Sequence, residues 1–426
     1  MRIETATRGL LLVALIHAMG SSVALAQEGQ LGTNLEGLLA YARAQSPELG
    51  AMRQEADAAS QRIESAGALP DPVLRVELMN INNYGTSTAP SVLPWRVGET
   101  KYTVMQMLPT WNKRELRRDA AAADARQASA RADAAWSELA ARIKATYAEY
   151  YKAAGNERLT REVLGLMGQL ERVAQARYAG GLVAQQDPIR AQLEQTAMRS
   201  ELIALENEKR QLQARLNSLL ARDGQTPLAE PQALRPLPSL NTADTTMLAE
   251  RARARNPLLQ AEQARLDGAQ KNRDLTWRNR YPDLQVGVAP SQMGSRITSW
   301  GLMFEVNIPL QQESRRAQER EAEAMVGAAR SRSEALSHQL LGELAGQLSG
   351  FDAARRTEQL MKTQLLPQSE LSLQSAVAAY ESGKADFTTL LEAQRQIRKA
   401  RQDLLNTQVE AQMRLADIER IVGEDL

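Results

Sequence analysis

The chain has 426 residues and no cysteine, and its 52 Lys and Arg residues balance 51 Asp and Glu residues to a formal net charge of +1. This balance gives no reason to expect a nucleic-acid partner, and the lack of cysteine excludes a fold held by disulfides. Aromatic residues make up only 4% of the chain, a low value that is typical of long, solvated, alanine-rich helices rather than of one thick core.

The N-terminus has the pattern of a secretory signal peptide over residues 1–26. Arg2 and Arg8 precede an apolar run at 10–16, and small residues at 24–26 suit the cleavage site. A retained helical anchor is the alternative. No later run of about 20 apolar residues predicts a transmembrane helix, so any membrane contact is expected to use strands or a peripheral surface. With no cysteine after the signal, a lipoprotein is excluded.

The first half of the mature chain, 27–225, is predicted to contain short helices, two strands and a long helical hairpin. The strands are expected at about 72–80 and 99–108, and the hairpin at about 113–221 with its tip near 181. Strong helix formers and the absence of proline from 110 to 187 support the long helix. One helix of about 65 residues would extend roughly 100 Å.

A Pro- and Leu-rich segment, 226–242, is the predicted connector to a second half, 243–426, that repeats the design. Its strands are expected at about 282–290 and 298–309, and its hairpin at about 313–422 with the tip near 383. Pro367 is expected to kink the long helix before the tip, because proline lacks the backbone donor of a helical residue.

The strand candidates alternate apolar and polar residues. Leu74, Val76 and Leu78 alternate with the charged Arg75 and Glu77. This period of two fits a half-buried soluble sheet and the wall of an outer-membrane barrel about equally well. Four of the five Trp residues lie near strand ends, as in an interfacial girdle: Trp95, Trp111, Trp277 and Trp300. Since four strands cannot close a barrel, a barrel would need several copies of the chain, and three copies would give twelve strands.

The two halves are related by a direct sequence repeat. Tyr178 and Gly181 recur as Tyr380 and Gly383, at one constant offset of 202 residues (383 − 181), and a later Ala-Gln pair recurs at the same offset. A repeat of this length is too long for a solenoid unit. It predicts two copies of one supersecondary block in a pseudo-symmetric protomer.

The order of helix, strand hairpin and long helical hairpin, given twice behind a signal peptide, resembles the TolC-like outer-membrane efflux factor family over essentially the whole mature chain. The most specific segments are 178–184 and 380–394. The resemblance implies a mainly α fold with a small β part, in which a homotrimer forms a 12-stranded outer-membrane β-barrel on a periplasmic α-helical barrel. Segments 68–72 and 105–118 look most similar to the heavy-metal-cation branch.

The resemblance also implies a function for the hairpin tips. They are expected to dock a periplasmic adaptor that connects the channel to an inner-membrane pump, because an apolar tip suits contact with a partner helix. The alternative is that the glycines are only helix caps. The expected docking residues are Gly181, Leu182, Val183, Ala184, Gly383 and Lys384.

The periplasmic aperture is expected just beyond the second tip, where three copies would form a narrow ring that attracts cations. Tyr380 matches the gating tyrosine of the family, and packing under a helix cap is the other interpretation. Of two acidic family positions only Glu392 is kept, since the other is Thr389, and Asp386 lies nearby. Tyr380 and Glu392 are both expected on a solvated helix face.

The sequence predicts no enzyme, metal centre or cofactor. Only His338 remains after the signal, and no catalytic motif is present. Met105 and Met107 suit soft metals, but packing is favoured. We therefore expect a passive exit duct in the outer membrane of a Gram-negative bacterium, projecting into the periplasm. The alternatives are a periplasmic adaptor, a secreted coiled-coil scaffold and, more distantly, an exported hydrolase.

Overall fold

The computed structural model describes residues 31–81, 92–240 and 244–426. The expected signal peptide lies outside the described residues. The chain divides into two compact units, and each takes segments from both halves of the sequence. The helical unit contains the described parts of Met1–Ala51, Asp133–Asn256 and Gln339–Leu426, and the sheet unit contains those of Met52–Ala132 and Pro257–His338.

The described elements repeat one order, two shorter helices, two strands and a long helical hairpin, in each half of the chain. In the first half they are α1 (Leu35–Gln45), α2 (Pro47–Gly67), β1 (Val73–Met79), β2 (Glu99–Leu108), α3 (Lys113–Ala179) and α4 (Gln186–Leu219). In the second half they are α5 (Thr245–Arg255), α6 (Pro257–Arg278), β3 (Leu284–Met293), β4 (Arg296–Val306), α7 (Gln312–Leu360), a π-helical turn (Met361–Leu365), α8 (Leu366–Glu381) and α9 (Phe387–Val422). The protein is thus mainly helical with a small sheet. None of the described helices has the length and hydrophobicity needed to cross a membrane.

The four described strands form one antiparallel sheet in the order β1-β2-β3-β4. Residues that pair directly across neighbouring strands share a face of the sheet. Val104 pairs with both Leu74 and Val288, and Val288 pairs in turn with Leu302. The same face continues on β4 through Phe304, which is 70% exposed. Alternation in the sequence has therefore produced one continuous apolar face that the described chain leaves uncovered.

The opposite face of the sheet is more polar, because it carries charged residues among apolar ones such as Met105 and Met303. It carries Arg75, Glu77, Lys101, Gln285 and Glu305, which occupy the alternate positions of the same strands. A sheet with one apolar and one polar face is stable only if something other than water covers the apolar side.

The third strand extends to Met293, beyond its predicted end at 290, although Pro290 lies within it. Proline has no N–H to donate, and the pairing between β2 and β3 skips this position while β3 still pairs with β4. Gly294, at φ +62°, then closes a short turn into β4. The fourth strand ends at Val306, so Ile308 of the predicted 298–309 strand lies outside it.

The helical unit is packed mainly through small and aliphatic residues. One apolar cluster joins α1 to α3 and α4 through Leu38, Ile143 and Leu216, which are fully buried. A second cluster joins the two helical hairpins near their tips and includes Met167, Met198, Tyr380, Phe387 and Leu390. This second cluster fixes the position of the candidate site described below.

The long helix of the second hairpin departs from α geometry at the π-helical turn Met361–Leu365, where the Leu366 N–H donates to the Met361 carbonyl. Pro367 follows at the start of α8. Proline cannot donate to the carbonyl of residue 363, and a π turn is one of the recognised sources of a helix kink. The predicted kink site therefore coincides with a local change of helix type.

A buried ion network holds the C-terminal end of α9 in the helical unit. Glu419 is 3% exposed and accepts from Lys144 at 2.8 Å and from Arg235 at 2.7 Å. Arg235 also donates to Gln412 at 3.1 Å, and Lys144 contacts Asp425. Because Arg235 lies in the 226–240 segment, the network ties this connector and α3 to α9.

Removing one member of this network should cost far more than removing an exposed ion pair. We expect Glu419→Ala to lower the free energy of unfolding by about 3–5 kcal/mol, because the buried Lys144 and the largely buried Arg235 would both lose their buried carboxylate partner. Glu410→Ala, at an exposed pair with Arg414 on the same helix, should cost less than about 1 kcal/mol. Denaturant titration of both variants measures the difference, and equal costs would contradict this assignment.

Candidate functional site at the hairpin tips

The tip of the first hairpin is a Schellman motif, a turn that ends a helix by returning two backbone donors to its last carbonyls. The Leu182 N–H donates to the Arg177 carbonyl and the Gly181 N–H donates to the Tyr178 carbonyl, both at 2.9 Å. Gly181 has φ +71°. This left-handed conformation is the physical reason for glycine at the position, since a Cβ is disfavoured there.

The tip of the second hairpin has the same motif at the equivalent positions. The Lys384 N–H donates to the Ala379 carbonyl at 2.8 Å, and the Gly383 N–H donates to the Tyr380 carbonyl at 3.0 Å. Gly383 has φ +74°. The sequence repeat at these two tips therefore encodes one backbone conformation used twice.

The residues expected to dock a partner lie at the surface of these turns. Leu182 is 70% exposed, Val183 is half-buried, and Gly181, Ala184, Gly383 and Lys384 are exposed. The apolar surface continues along α4, where Ile189 and Leu193 are 54% and 70% exposed. The first tip is thus apolar and accessible in the protomer, and the second is small and basic.

Tyr380 does not lie on a solvated helix face, so that expectation is wrong. Its side chain is 1% exposed and packs edge-on against Phe387, with ring centroids 5.4 Å apart. The guanidinium of Arg177 lies 4.9 Å from the centre of the Tyr380 ring. Its repeat equivalent, Tyr178, is 45% exposed. The cause is the contact between the two hairpins, which covers only one of the two tyrosines.

The polar groups around Tyr380 come from the first hairpin. Its hydroxyl is buried without a hydrogen bond of regular geometry, and the Asp187 carboxylate is the charged group that interacts with it. Burial, followed by the negative charge of Asp187, raises the pKa of Tyr380. Burial also raises the pKa of Asp187, against the effect of the positive charge of Arg190.

Arg177, Asp187 and Arg190 did not emerge from the sequence as site residues. Each lies within 10 residues of Gly181, so closeness to the repeated turn was the signal that could have identified them. Their partners lie on the second hairpin, however, about 200 residues later in the sequence.

The acidic residues expected at the aperture have different local roles. Asp386 is the N-cap of α9 and accepts from the Thr389 N–H at 2.8 Å and from the Thr389 hydroxyl at 2.6 Å. These hydrogen bonds, the side-chain one first, lower the pKa of Asp386. Glu392 is exposed on the following turn. Asp386 and Thr389 therefore form a helix cap, while the Glu392 carboxylate is accessible to solvent.

The side chains of the described residues were examined for the ligand groups of a metal ion. Within residues 31–81, 92–240 and 244–426, no group of three or more His, Cys, Asp or Glu residues is arranged to hold a metal ion. His338 is exposed on α7. Met105 is 4% exposed and lies beside Gly287 in the sheet, which is a packing position.

Comparison with known proteins identifies the family of this chain. A family model described as outer membrane efflux protein matches residues 38–222 and 248–424, one match in each half of the chain. The cobalt-zinc-cadmium resistance protein CzcC of Cupriavidus metallidurans is 24% identical over 392 residues, which cover 91% of this chain and 90% of CzcC.

Solved structures show the same fold at lower sequence identity. The outer membrane protein VceC from Vibrio cholerae superposes with a TM-score of 0.76 at 18% identity, covering 92% of this chain and 96% of VceC. CusC superposes with a TM-score of 0.77 at 16% identity, covering 92% of each chain. The outer-membrane channel OprN superposes with a TM-score of 0.76 at 19% identity, covering 91% of this chain and 89% of OprN.

The duplicated helix and strand order, the uncovered apolar face of the sheet and the family match over both halves lead to one conclusion. The chain belongs to the outer membrane efflux protein family, whose members are transport channels of the outer membrane that extend into the periplasm.

Proposed function

We propose that the protein is the exit duct of a tripartite efflux system, in which three copies form one channel. The observation that carries this proposal is the four-stranded sheet with an uncovered apolar face and two outer strands, β1 and β4, that are unpaired on one side in the described chain. Three such sheets supply twelve strands, enough to close a barrel around a polar interior. Lipid then covers the apolar face, and neighbouring subunits complete the edges.

Leu302 provides a test of the lipid-facing wall. It lies on the apolar face of β4 and is 77% exposed, so Leu302→Arg should cost about 2–4 kcal/mol in a membrane-embedded barrel. The yield of membrane-inserted trimer, measured by detergent extraction and size-exclusion chromatography with light scattering, should fall. Glu305→Arg, on the polar face of the same strand, should leave the yield unchanged. A detergent-independent monomer for the parent chain would refute the channel proposal.

The hairpin tips are the proposed docking site for a periplasmic adaptor, which would connect the duct to an inner-membrane pump. The exposed Leu182, next to Gly181, supports this assignment, because an apolar side chain at the end of a helical hairpin suits contact with a partner helix. Val183, Ala184, Gly383 and Lys384 complete the proposed surface.

Substitution of Gly181 should separate docking from assembly. No atom lies within 4 Å of a Cβ placed at Gly181, so Gly181→Val would act through backbone strain alone, since branched side chains resist φ +71°. We expect adaptor cross-linking and export to fall while the yield of trimer stays constant. Gly180→Val is the matched control, because Gly180 is not among the positive-φ residues. Unchanged cross-linking in Gly181→Val would leave the tip as only a helix cap.

We propose metal cations as the cargo. Two features support this proposal: the similarity to CzcC extends over 91% of the chain, and Glu392 presents an exposed carboxylate near the second tip. In a trimer, three such carboxylates around one axis would attract cations to the aperture. In this proposal Asp386 and Thr389 lie at the edge of the aperture, and the buried Tyr380 packs behind this edge.

Gene deletion tests the proposed cargo, and a bilayer measurement tests the proposed aperture. Deletion of the gene should sensitise its host to cobalt, zinc and cadmium salts, whereas selective sensitisation to organic compounds would refute the metal proposal.

In planar bilayers, Glu392→Gln should reduce the preference of the open channel for cations, most clearly at low salt where charges are weakly screened. Glu381→Gln, also exposed near the tip, serves as the control. Unchanged selectivity in Glu392→Gln would place the constriction elsewhere.

A further inference from the structure

The two tips share a backbone motif but differ in one side chain that matters where they meet. The residue whose carbonyl receives the long return bond of the motif is Arg177 in the first tip and Ala379 in the second. The repeat is therefore asymmetric. The first tip has a long cationic side chain at this position, and the second tip has only a methyl group.

Arg177 uses this side chain to reach the end of α8 on the other hairpin. One guanidinium nitrogen donates to the Tyr380 carbonyl and, at 3.3 Å, to the Glu381 carbonyl. The guanidinium also lies over the Tyr380 ring, 4.9 Å from its centre. A Cβ placed at Gly383 would lie 3.3 Å from the Arg177 Nη2 atom, so the glycine also leaves room for the arginine.

These contacts have a specific electrostatic basis. The last carbonyls of a helix lack intrahelical donors and carry the negative end of the helix dipole. A cation placed there is stabilised, and the planar guanidinium can donate to two carbonyls while stacking on an aromatic ring. Arg177 therefore caps a helix of the other hairpin. The guanidinium donates to the Tyr380 and Glu381 carbonyls and also contacts the Tyr380 ring.

A second arginine of the first hairpin acts on the next helix of the second. Arg190 contacts the Thr388 hydroxyl in the first turn of α9. Asp187 lies between the two arginines in sequence, and its carboxylate is attracted by Arg190 and Arg177 and repelled by that of Asp386. The first hairpin thus contacts both helices of the second on either side of the Gly383 turn.

We propose that Arg177 is the positioning residue that fastens the second tip to the first within one protomer, with Arg190 as a secondary contact, and that this clasp keeps the aperture closed. The gating part rests on the proposed channel function. The Arg177 contact itself involves only the two hairpins of one chain and does not depend on that function. Opening the aperture then requires the guanidinium to leave the Tyr380 and Glu381 carbonyls.

The clasp can be tested without any transport assay, because the chain has no cysteine. Spin labels would be attached through Leu182→Cys and Lys384→Cys, both exposed at the tips, in trimers diluted with an excess of cysteine-free chain. The parent should give one narrow distance distribution between the labels. Arg177→Gln should broaden and lengthen it, and Arg177→Lys should restore it only in part, since lysine keeps the charge but lacks the planar fork.

Arg172→Gln is the matched control. Arg172 is exposed on the same helix, and no hydrogen bond or ion pair of its side chain is found among the described residues. A distance distribution for Arg177→Gln that equals those of the parent and of Arg172→Gln would overturn the clasp.

Conductance tests the link between the clasp and the aperture. In planar bilayers we expect Arg177→Gln to raise the basal open probability about tenfold, which corresponds to about 1.4 kcal/mol, while Arg172→Gln matches the parent. If the labels separate but the open probability does not change, the gating part of the proposal is wrong. If the parent itself never conducts, the proposed channel function fails, whereas the spin-label result still decides whether the clasp exists.

Discussion

The backbone groups along β1 and β4 impose the constraint on which much of this protein depends. Each outer strand presents N–H and C=O groups on one side that no other strand of the described chain satisfies, and the face beside them is apolar and uncovered. In water such a sheet would aggregate, and in lipid its unpaired groups would cost several kcal/mol each. Only pairing with further strands satisfies these backbone groups, in water and in lipid alike. This requirement connects the alternating sequence of the strands to assembly and to a location in a membrane.

The helical unit must pack long helices against one another, and it does so with few large side chains. Its clusters rely on alanine, leucine and a few aromatic residues, and small residues allow long helices to approach closely. Charged residues supplement this packing, as in the Glu419 network and in the pairing of Arg395 on α9 with Glu194 on α4 at 2.6 Å. Polar contacts between the two hairpins therefore specify how they align, and the apolar clusters supply most of the stabilisation.

Local patterns made much of this fold predictable. Alternation identified β1 because Leu74, Val76 and Leu78 share a face, and glycine at 181 and 383 marked turns because only glycine adopts a positive φ without strain. The extension of β3 through Pro290 was not predicted, because the sequence does not show that the β2 ladder can skip that residue. The sequence left packing of Tyr380 only as an alternative, and the solvated face expected for it is wrong. Tyr178 and Tyr380 have equivalent local sequences, and their different environments arise from contacts between hairpins that no local pattern records.

One difference between the two Schellman turns, arginine at 177 against alanine at 379, has a consequence for symmetry. Two identical repeats in each of three subunits would surround the channel axis with six equivalent tips, and every junction between neighbouring tips would be the same. With Arg177 in one repeat and Ala379 in the other, three junctions within subunits carry an arginine and three junctions between subunits do not. The proposed assembly is then threefold rather than sixfold at its entrance. Opening as proposed separates the two tips within each subunit, so the change occurs at the three junctions that carry Arg177.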